Sequence, residues 1–158
     1  MGEISITVFV DSDHRYDKVT RRSITGLIAF LGWTPVFYHS KRQGATEMST
    51  YGAEFCAMKT TVKETIAIRY MMRCLCVNVE TASLICGDNT GVIQNSTIKS
   101  ILLKKKHVAI SYHKTCEATA SGTVHPIKTG GTINYADVLM KSQDLKNFQL
   151  ITGSYFYG

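Results

Sequence analysis

The chain has 158 residues, of which 44% are hydrophobic and 19% are charged. That length fits one domain, which needs neither a disulfide framework nor a structural metal to build its core. The composition excludes a disordered chain, and no apolar run approaches the ~20 residues that cross a bilayer. The formal net charge of +6 favours a polyanionic partner.

The five cysteines occur without a C-x-x-C pair, and their number is odd. This spacing and number do not indicate a zinc site or a disulfide framework. We therefore predict reduced, mostly buried cysteines in a reducing compartment. The first residues also lack the basic start and apolar core of a signal peptide.

Three strands are predicted first. Residues 4–10 are rich in β-branched side chains and end at Asp11. Residues 23–32 and 34–40 have the same character, and their short connection predicts an antiparallel meander. Trp33, between these two segments, and Tyr38, on the second of them, are predicted to lie in the core.

Helices alternate with strands in the rest of the chain. Residues 49–75 repeat apolar side chains at spacings of three and four, namely Phe55, Met58, Val62 and Ile66, and Ser49 or Thr50 can cap this helix. Further segments are predicted as strand 83–87, a short helix that begins at 91–95, helix 107–120, strand 123–128 and helix 133–146. This order predicts an α/β fold, a mixed central sheet with helices on its faces.

Four acidic residues stand where these elements begin or end. Asp11 and Asp88 follow strands, whereas Glu54 and Asp137 lie in the first turns of helices. Carboxylates gathered at strand ends could bind Mg²⁺ for phosphodiester hydrolysis. Taken singly, each acid is better explained as a solvated charge, a turn residue or a favourable charge at a helix N-terminus.

Seven short segments, in order, resemble the ribonuclease H domain of copia-type LTR retrotransposons over about residues 9–141. They are 10–13 (VDSD), 21–26 (RRSITG), 40–43 (SKRQ), 49–55 (STYGAEF), 88–89 (DN), 106–113 (KHVAISYH) and 135–141 (YADVLMK). The resemblance implies a ribonuclease H-like fold, with a five-stranded mixed sheet of three antiparallel strands followed by two parallel ones. It also implies one domain over 1–158, with a core of about 4–146 and a C-terminal tail at 147–158.

The resemblance further implies a chemistry and its partners. Asp11, Glu54, Asp88 and Asp137 fall where the family has its catalytic metal ligands, which hold two Mg²⁺ ions, with Mn²⁺ as a substitute. The implied reaction cuts the RNA strand of an RNA–DNA hybrid and leaves 5′-phosphate and 3′-hydroxyl ends. The expected partner is the reverse transcriptase domain of the same polyprotein, and the isolated domain is expected to be monomeric. The expected location is the cytoplasm or a retrotransposon particle, with the nucleus possible.

Candidate substrate contacts surround these acids in the sequence. Arg22, Lys41 and Arg42 could neutralise phosphates. Asn89, Ser49 and Thr50 could hydrogen-bond 2′-hydroxyls or bases in the minor groove, where RNA differs from DNA.

Departures from the family pattern leave alternatives open. His14 replaces a Trp, Gly52 replaces a Glu that would close a capping box from Ser49, and Ala109 replaces an acid. Residues 129–134 contain no histidine, so neither His113 nor His125 is assigned a catalytic role. The alternatives are a DNA nuclease or integrase of the wider superfamily, and a non-catalytic nucleic-acid-binding or scaffolding domain.

Overall fold

A computed structural model of the chain describes residues 4–14, 19–44, 46, 49–97, 106–130 and 134–140, together with 149 and 153. The strands are β1 (Ile6–Asp13), β2 (Ile24–Leu31), β3 (Thr34–Arg42), β4 (Ser83–Gly87) and β5 (Val124–Lys128). The α-helices are α1 (Thr50–Cys74), α2 (Thr90–Thr97) and α3 (Lys106–Ala120), and a 3₁₀ helix covers Tyr135–Leu139. The predicted tail at 147–158 lies outside the described residues apart from 149 and 153.

The five strands form one sheet in the order β3-β2-β1-β4-β5. β1 and β2 pair antiparallel, as do β2 and β3, whereas β4 runs parallel to both β1 and β5. The predicted mixed sheet is therefore confirmed. The parallel pairs require crossovers, and α1 and the α2–α3 segment provide them.

The α-helices cover one face of the sheet and build the core there. Phe55 and Met58 of α1 are buried in one cluster with Val10, Ile85 and residues of α2 and α3. A second cluster joins Ile68 of α1 to the start of β1 and to β2. The predicted periodicity of α1 fails at Ile66, which is 45% exposed.

In the described part of the chain, the 3₁₀ helix packs on the opposite face of the sheet. The ring of Tyr135 packs edge-on against that of Phe9, with a centroid distance of 4.6 Å, and lies 5.9 Å from the ring centroid of Phe30. The prediction of a helix over 133–146 is wrong in its described part, because the chain takes the tighter 3₁₀ form over five residues. Residues 141–146 lie outside the described part of the chain.

Several side chains are more exposed than predicted. Trp33 and Tyr38 are 85% and 75% exposed, because Trp33 occupies the β2–β3 turn and Tyr38 lies on the edge strand β3. Cys74 and Cys76 are exposed at the end of α1, and of the five cysteines only Cys86 is buried, so the prediction of mostly buried cysteines is wrong. None of the five forms a disulfide. None of the described helices is long and apolar enough to cross a bilayer.

Gly26 provides a stability test of the contact between the sheet and the 3₁₀ helix. A Cβ at this position would lie 2.7 Å from Met140 Cγ and 3.0 Å from the carbonyl oxygen of Ala136. We expect Gly26→Ala to lower the free energy of unfolding by about 1–3 kcal/mol in urea titrations, because overpacking displaces the helix. Gly44→Ala is the control, since nothing lies within 4 Å of its Cβ position. Equal stability of the two variants would contradict this packing.

Candidate metal centre

Two of the four acids meet because β1 and β4 are parallel neighbours. Phe9 pairs with Cys86 in the parallel register, so Asp11 and Asp88, each two residues further on, reach the same edge of the sheet. Asp11 is 5% exposed, whereas Asp88 is solvent-exposed. β1 continues to Asp13, because Ser12 and Asp13 still pair with β2, so Asp11 lies inside the strand and not after it as predicted.

Helix α1 brings the third acid to the same edge. Ser49 is the N-cap, and its side-chain oxygen accepts a hydrogen bond from the backbone N–H of Gly52 at 3.1 Å. The helix thus begins without the missing capping-box glutamate. Glu54 follows within the first two turns, and one ligand oxygen from each of Asp11, Glu54 and Asp88 lies within 4.8 Å of the others.

Asp137 approaches from the opposite face of the sheet. It lies in the 3₁₀ helix, and its side chain hydrogen-bonds that of Asp11. The contact is possible because Gly26, which pairs with Asp11 across β2, leaves room for Ala136 and Met140. The structure therefore brings all four predicted acids together.

The carboxyl group of Asp11 has a strongly perturbed acidity. Burial, the hydrogen bond with Asp137, and the charges of Glu54 and Asp88 raise its pKa from 3.8 to about 8, against a smaller lowering by the backbone N–H of Ser12. Two unit charges about 5 Å apart repel by roughly 3 kcal/mol at an effective dielectric constant of 20. The positive ends of α1 and α2 partly offset this repulsion, since both helices begin beside the acids.

This donor set fits hard divalent cations. Carboxylate oxygens are the ligands that Mg²⁺ and Mn²⁺ prefer, and the three closest acids have the spacing to share an ion. A buried acid that keeps its proton near neutral pH is a costly feature that a cation would relieve. Asp11, Glu54, Asp88 and Asp137 are the residues that would hold it.

The predicted substrate contacts lie around this edge. Asn89 caps α2 through its side-chain oxygen, which accepts the N–H of Val92 at 3.2 Å. Ser49 is engaged in capping α1, and Thr50 is exposed at its first turn. Lys41 and Arg42 pair with Thr25 and Ile24, level with Ser12 and Asp13. Lys41 and Arg42 are exposed, and β3 lies about two strand spacings, or roughly 10 Å, from β1. Arg22, just before β2, is also exposed.

The sequence analysis assigned no role to two buried amide side chains near the acids. Gln43 donates from Nε2 to the carbonyl oxygen of Ala53, and Asn134 donates from Nδ2 to that of Val10, each at 2.9 Å. Asn134 had a usable signal, because an asparagine just before a helix is a typical N-cap. Gln43 stood within the SKRQ segment, but no local pattern indicated its partner.

Comparisons with known proteins bear on both sequence and fold. No family profile matches the chain. The chain is 27% identical over 146 residues to the Retrovirus-related Pol polyprotein from transposon RE1 of Arabidopsis thaliana, and 26% identical over 142 residues to that from transposon TNT 1-94 of Nicotiana tabacum. These matches cover 92% and 90% of the chain, which spans about a tenth of each relative's length.

Solved structures share the fold at low sequence identity. The N-terminal RNase H domain of Rv2228c from Mycobacterium tuberculosis matches with a TM-score of 0.65 and 12% identity, covering 96% of this chain and 99% of that one. The chain is similar in sequence to retrotransposon Pol polyproteins and has the ribonuclease H fold. The predicted resemblance is thereby confirmed.

Two further ribonuclease H-fold structures include a nucleic acid or a polymerase. LC11-RNase H1, solved in complex with an RNA/DNA hybrid, matches with a TM-score of 0.63, 12% identity, and 85% and 93% coverage. The Prototype Foamy Virus Protease-Reverse Transcriptase matches with a TM-score of 0.57 and 10% identity, over 98% of this chain and 21% of that one. These likenesses concern the fold.

Proposed function

We propose that this ribonuclease H-fold domain is an endonuclease that hydrolyses the RNA strand of RNA–DNA hybrids, using two divalent cations held by its four acids. The observation that carries the proposal is the convergence of Asp11, Glu54 and Asp88 within 4.8 Å, with Asp137 hydrogen-bonded to Asp11. A structural role would not favour such a cluster, because mutual repulsion destabilises it.

The acids divide the work by their positions. Asp11 is buried at the centre, Glu54 and Asp137 are partly buried and Asp88 is exposed, so the four carboxylates could hold cations between the buried strand and the solvent. Two bound cations, Mg²⁺ with Mn²⁺ as a substitute, would activate the attacking water and stabilise the leaving 3′-oxygen. The carboxylates would contribute to orienting the scissile phosphate by fixing where such cations bind.

The surroundings support a hybrid substrate. Arg22, Lys41 and Arg42 are exposed near the edge of the sheet where the four acids meet, here called the acidic edge. Their positive charge would provide affinity for nucleic-acid phosphates without base specificity. With its oxygen used as a cap, Asn89 presents its N–H₂ group as a donor beside Asp88. Such a donor can reach a 2′-hydroxyl in the minor groove. Thr50 offers a hydroxyl at the start of α1.

The proposal is tested by cleavage of labelled substrates with Mg²⁺, Mn²⁺ or chelator. We expect metal-dependent cleavage of the RNA strand of a hybrid, and little cleavage of double-stranded DNA or single-stranded RNA. Preferred cleavage of DNA would support a superfamily nuclease or integrase instead. Hybrid binding without cleavage under every metal condition would support a non-catalytic binding domain.

A charge variant tests the basic residues on β3. We expect Lys41→Gln with Arg42→Gln to lower the slope of log Kd against log salt by about 0.9 for each lost phosphate contact, because fewer counterions are released. The rate at saturating hybrid should change little. The matched control is Lys63→Gln with Lys114→Gln, two exposed positions on α1 and α3. Equal salt slopes for both double variants would remove Lys41 and Arg42 from the interface.

The partner proposed is a reverse transcriptase domain of the same polyprotein. Support comes from the Pol relatives, of which this chain spans about a tenth, and from the fold match within a protease–reverse transcriptase. On this proposal the domain acts as a monomer, in the cytoplasm or a retrotransposon particle, on hybrids made by its own polymerase.

A further inference from the structure

The acidic cluster is braced by two buried amide side chains, one on each face of the sheet. Gln43 is 9% exposed and Asn134 is 3% exposed. Gln43 lies on the face covered by α1, and Asn134 lies beside the 3₁₀ helix on the opposite face. Neither carries a charge, so neither can serve as a counter-ion for the acids.

Each amide binds the backbone one residue before an acid. Gln43 Nε2 donates to the carbonyl oxygen of Ala53, which precedes Glu54. Asn134 Nδ2 donates to the carbonyl oxygen of Val10, which precedes Asp11. Because a peptide group is planar, a hydrogen bond that holds the carbonyl oxygen of one residue also holds the Cα atom of the next.

Further hydrogen bonds fix the position of each amide side chain. Gln43 Nε2 also donates to Thr25 Oγ1 at 2.9 Å, and its backbone N–H donates to Ser23 O at 2.8 Å. The amide therefore joins β2, β3 and α1 at the acidic edge. In the described part of the chain, Gln43 Oε1 is buried without a hydrogen-bond partner, a cost that packing alone would not favour.

Asn134 links two acids at once. Its side-chain oxygen accepts the N–H of Ala136 at 3.2 Å, and its carbonyl oxygen accepts the N–H of Asp137 at 3.1 Å. The same side chain thus caps the 3₁₀ helix that carries Asp137 and holds the strand that carries Asp11.

We infer that Gln43 and Asn134 are positioning residues that hold Glu54, Asp11 and Asp137 at cation-binding distance against their mutual repulsion. The inference rests on the proposed function, because it assigns the acids to cation binding. Removing either amide lets the acids relax apart, which weakens cation affinity more than it weakens the fold. Outer residues that hydrogen-bond the ligand side chains typically contribute ten- to a hundredfold in metal affinity, and these amides act on the ligands through the adjacent peptide groups.

The test compares both amides with a matched bond at the far end of α1. Gln43→Met and Asn134→Leu remove the donors at similar side-chain size. Arg69→Met is the control, because Arg69 ties the same helix to Thr81 O, Ser83 Oγ and Val79 O, away from the acids. Mn²⁺ dissociation constants are measured by calorimetry, alongside thermal unfolding of the metal-free proteins.

We expect the dissociation constant for Mn²⁺ to rise about tenfold or more in both amide variants, and to stay within about twofold in Arg69→Met despite a lower Tm. Gln43→Asn and Asn134→Ser provide milder changes should the first variants fail to fold. Serine can still cap Ala136 but is too short to reach Val10 O. The inference is overturned if the two amide variants bind Mn²⁺ as tightly as Arg69→Met does. This holds whether or not the variants cleave the hybrid. Wild-type protein that binds Mn²⁺ without cleaving the hybrid would overturn the proposed function and leave the inference standing.

Discussion

Asp11→Asn and Asp88→Asn are each expected to abolish cleavage of an RNA–DNA hybrid, lowering kcat by about a thousandfold or more. Loss of one carboxylate removes a charged cation ligand. The transition state would then lose several kcal/mol of stabilisation. Asparagine keeps the size and shape of the side chain. Hybrid affinity and the fold should therefore change little, as checked by binding in chelator and by circular dichroism.

Asp13→Asn is the matched control for both variants. Asp13 is the last residue of β1, two positions after Asp11, and it stands outside the acidic cluster. The same chemical change there should leave kcat within about threefold, since no cation ligand is lost. Normal cleavage by Asp88→Asn would contradict the proposed mechanism.

Metal-free protein is expected to lose stability as the pH rises from about 4 to about 8. The pKa of Asp11 is raised from 3.8 to about 8 in the folded protein, so in this window the native state holds a proton that the unfolded state has lost. The free energy of unfolding then falls with pH, by up to about 1.4 kcal/mol per unit from this group. Below pH 4 both states are protonated and the penalty is absent, whereas above pH 8 it is complete.

Asp11→Asn should remove this pH dependence. Asparagine stays neutral, still accepts the N–H of Ser12, and can donate to a neighbouring carboxylate, so the variant should be more stable than the wild type at pH 7.5 in chelator. Urea unfolding at several pH values measures the effect. Added Mg²⁺ should raise the Tm of the wild type and not that of Asp11→Asn. A parallel pH profile in both proteins would show that Asp11 ionises freely in the folded state.

Local patterns in the sequence were sufficient to predict most of the elements. Strand β4 and the range of α1 were predicted closely, because a short apolar run and a three-four apolar spacing report on local geometry. Of the two predicted caps, Ser49 and Thr50, the first is the N-cap, and capping can be predicted because it depends on neighbours three residues away. The four acids were identified by the spacing of family segments, whereas each acid taken singly gave a weaker signal.

Other features depend on contacts distant in the chain. Trp33 and Tyr38 look like core residues on their strands, but edge position and a turn expose them. The 3₁₀ form at Asp137 could not be predicted, because Gly26 and Phe9, more than a hundred residues earlier, shape the surface on which it packs.

The sequence by itself thus determined the order of strands and helices and the positive charge, since these depend on composition and near neighbours. The four acids were singled out by the family resemblance of seven segments spread along the chain. Only the tertiary structure decided that Asp11 is buried among the other acids, which raises its pKa to about 8. It also decided that Gln43 and Asn134 hold the backbone beside these acids. The physical reason is that burial, repulsion between charges and long-range hydrogen bonds exist only once the sheet and helices have packed together.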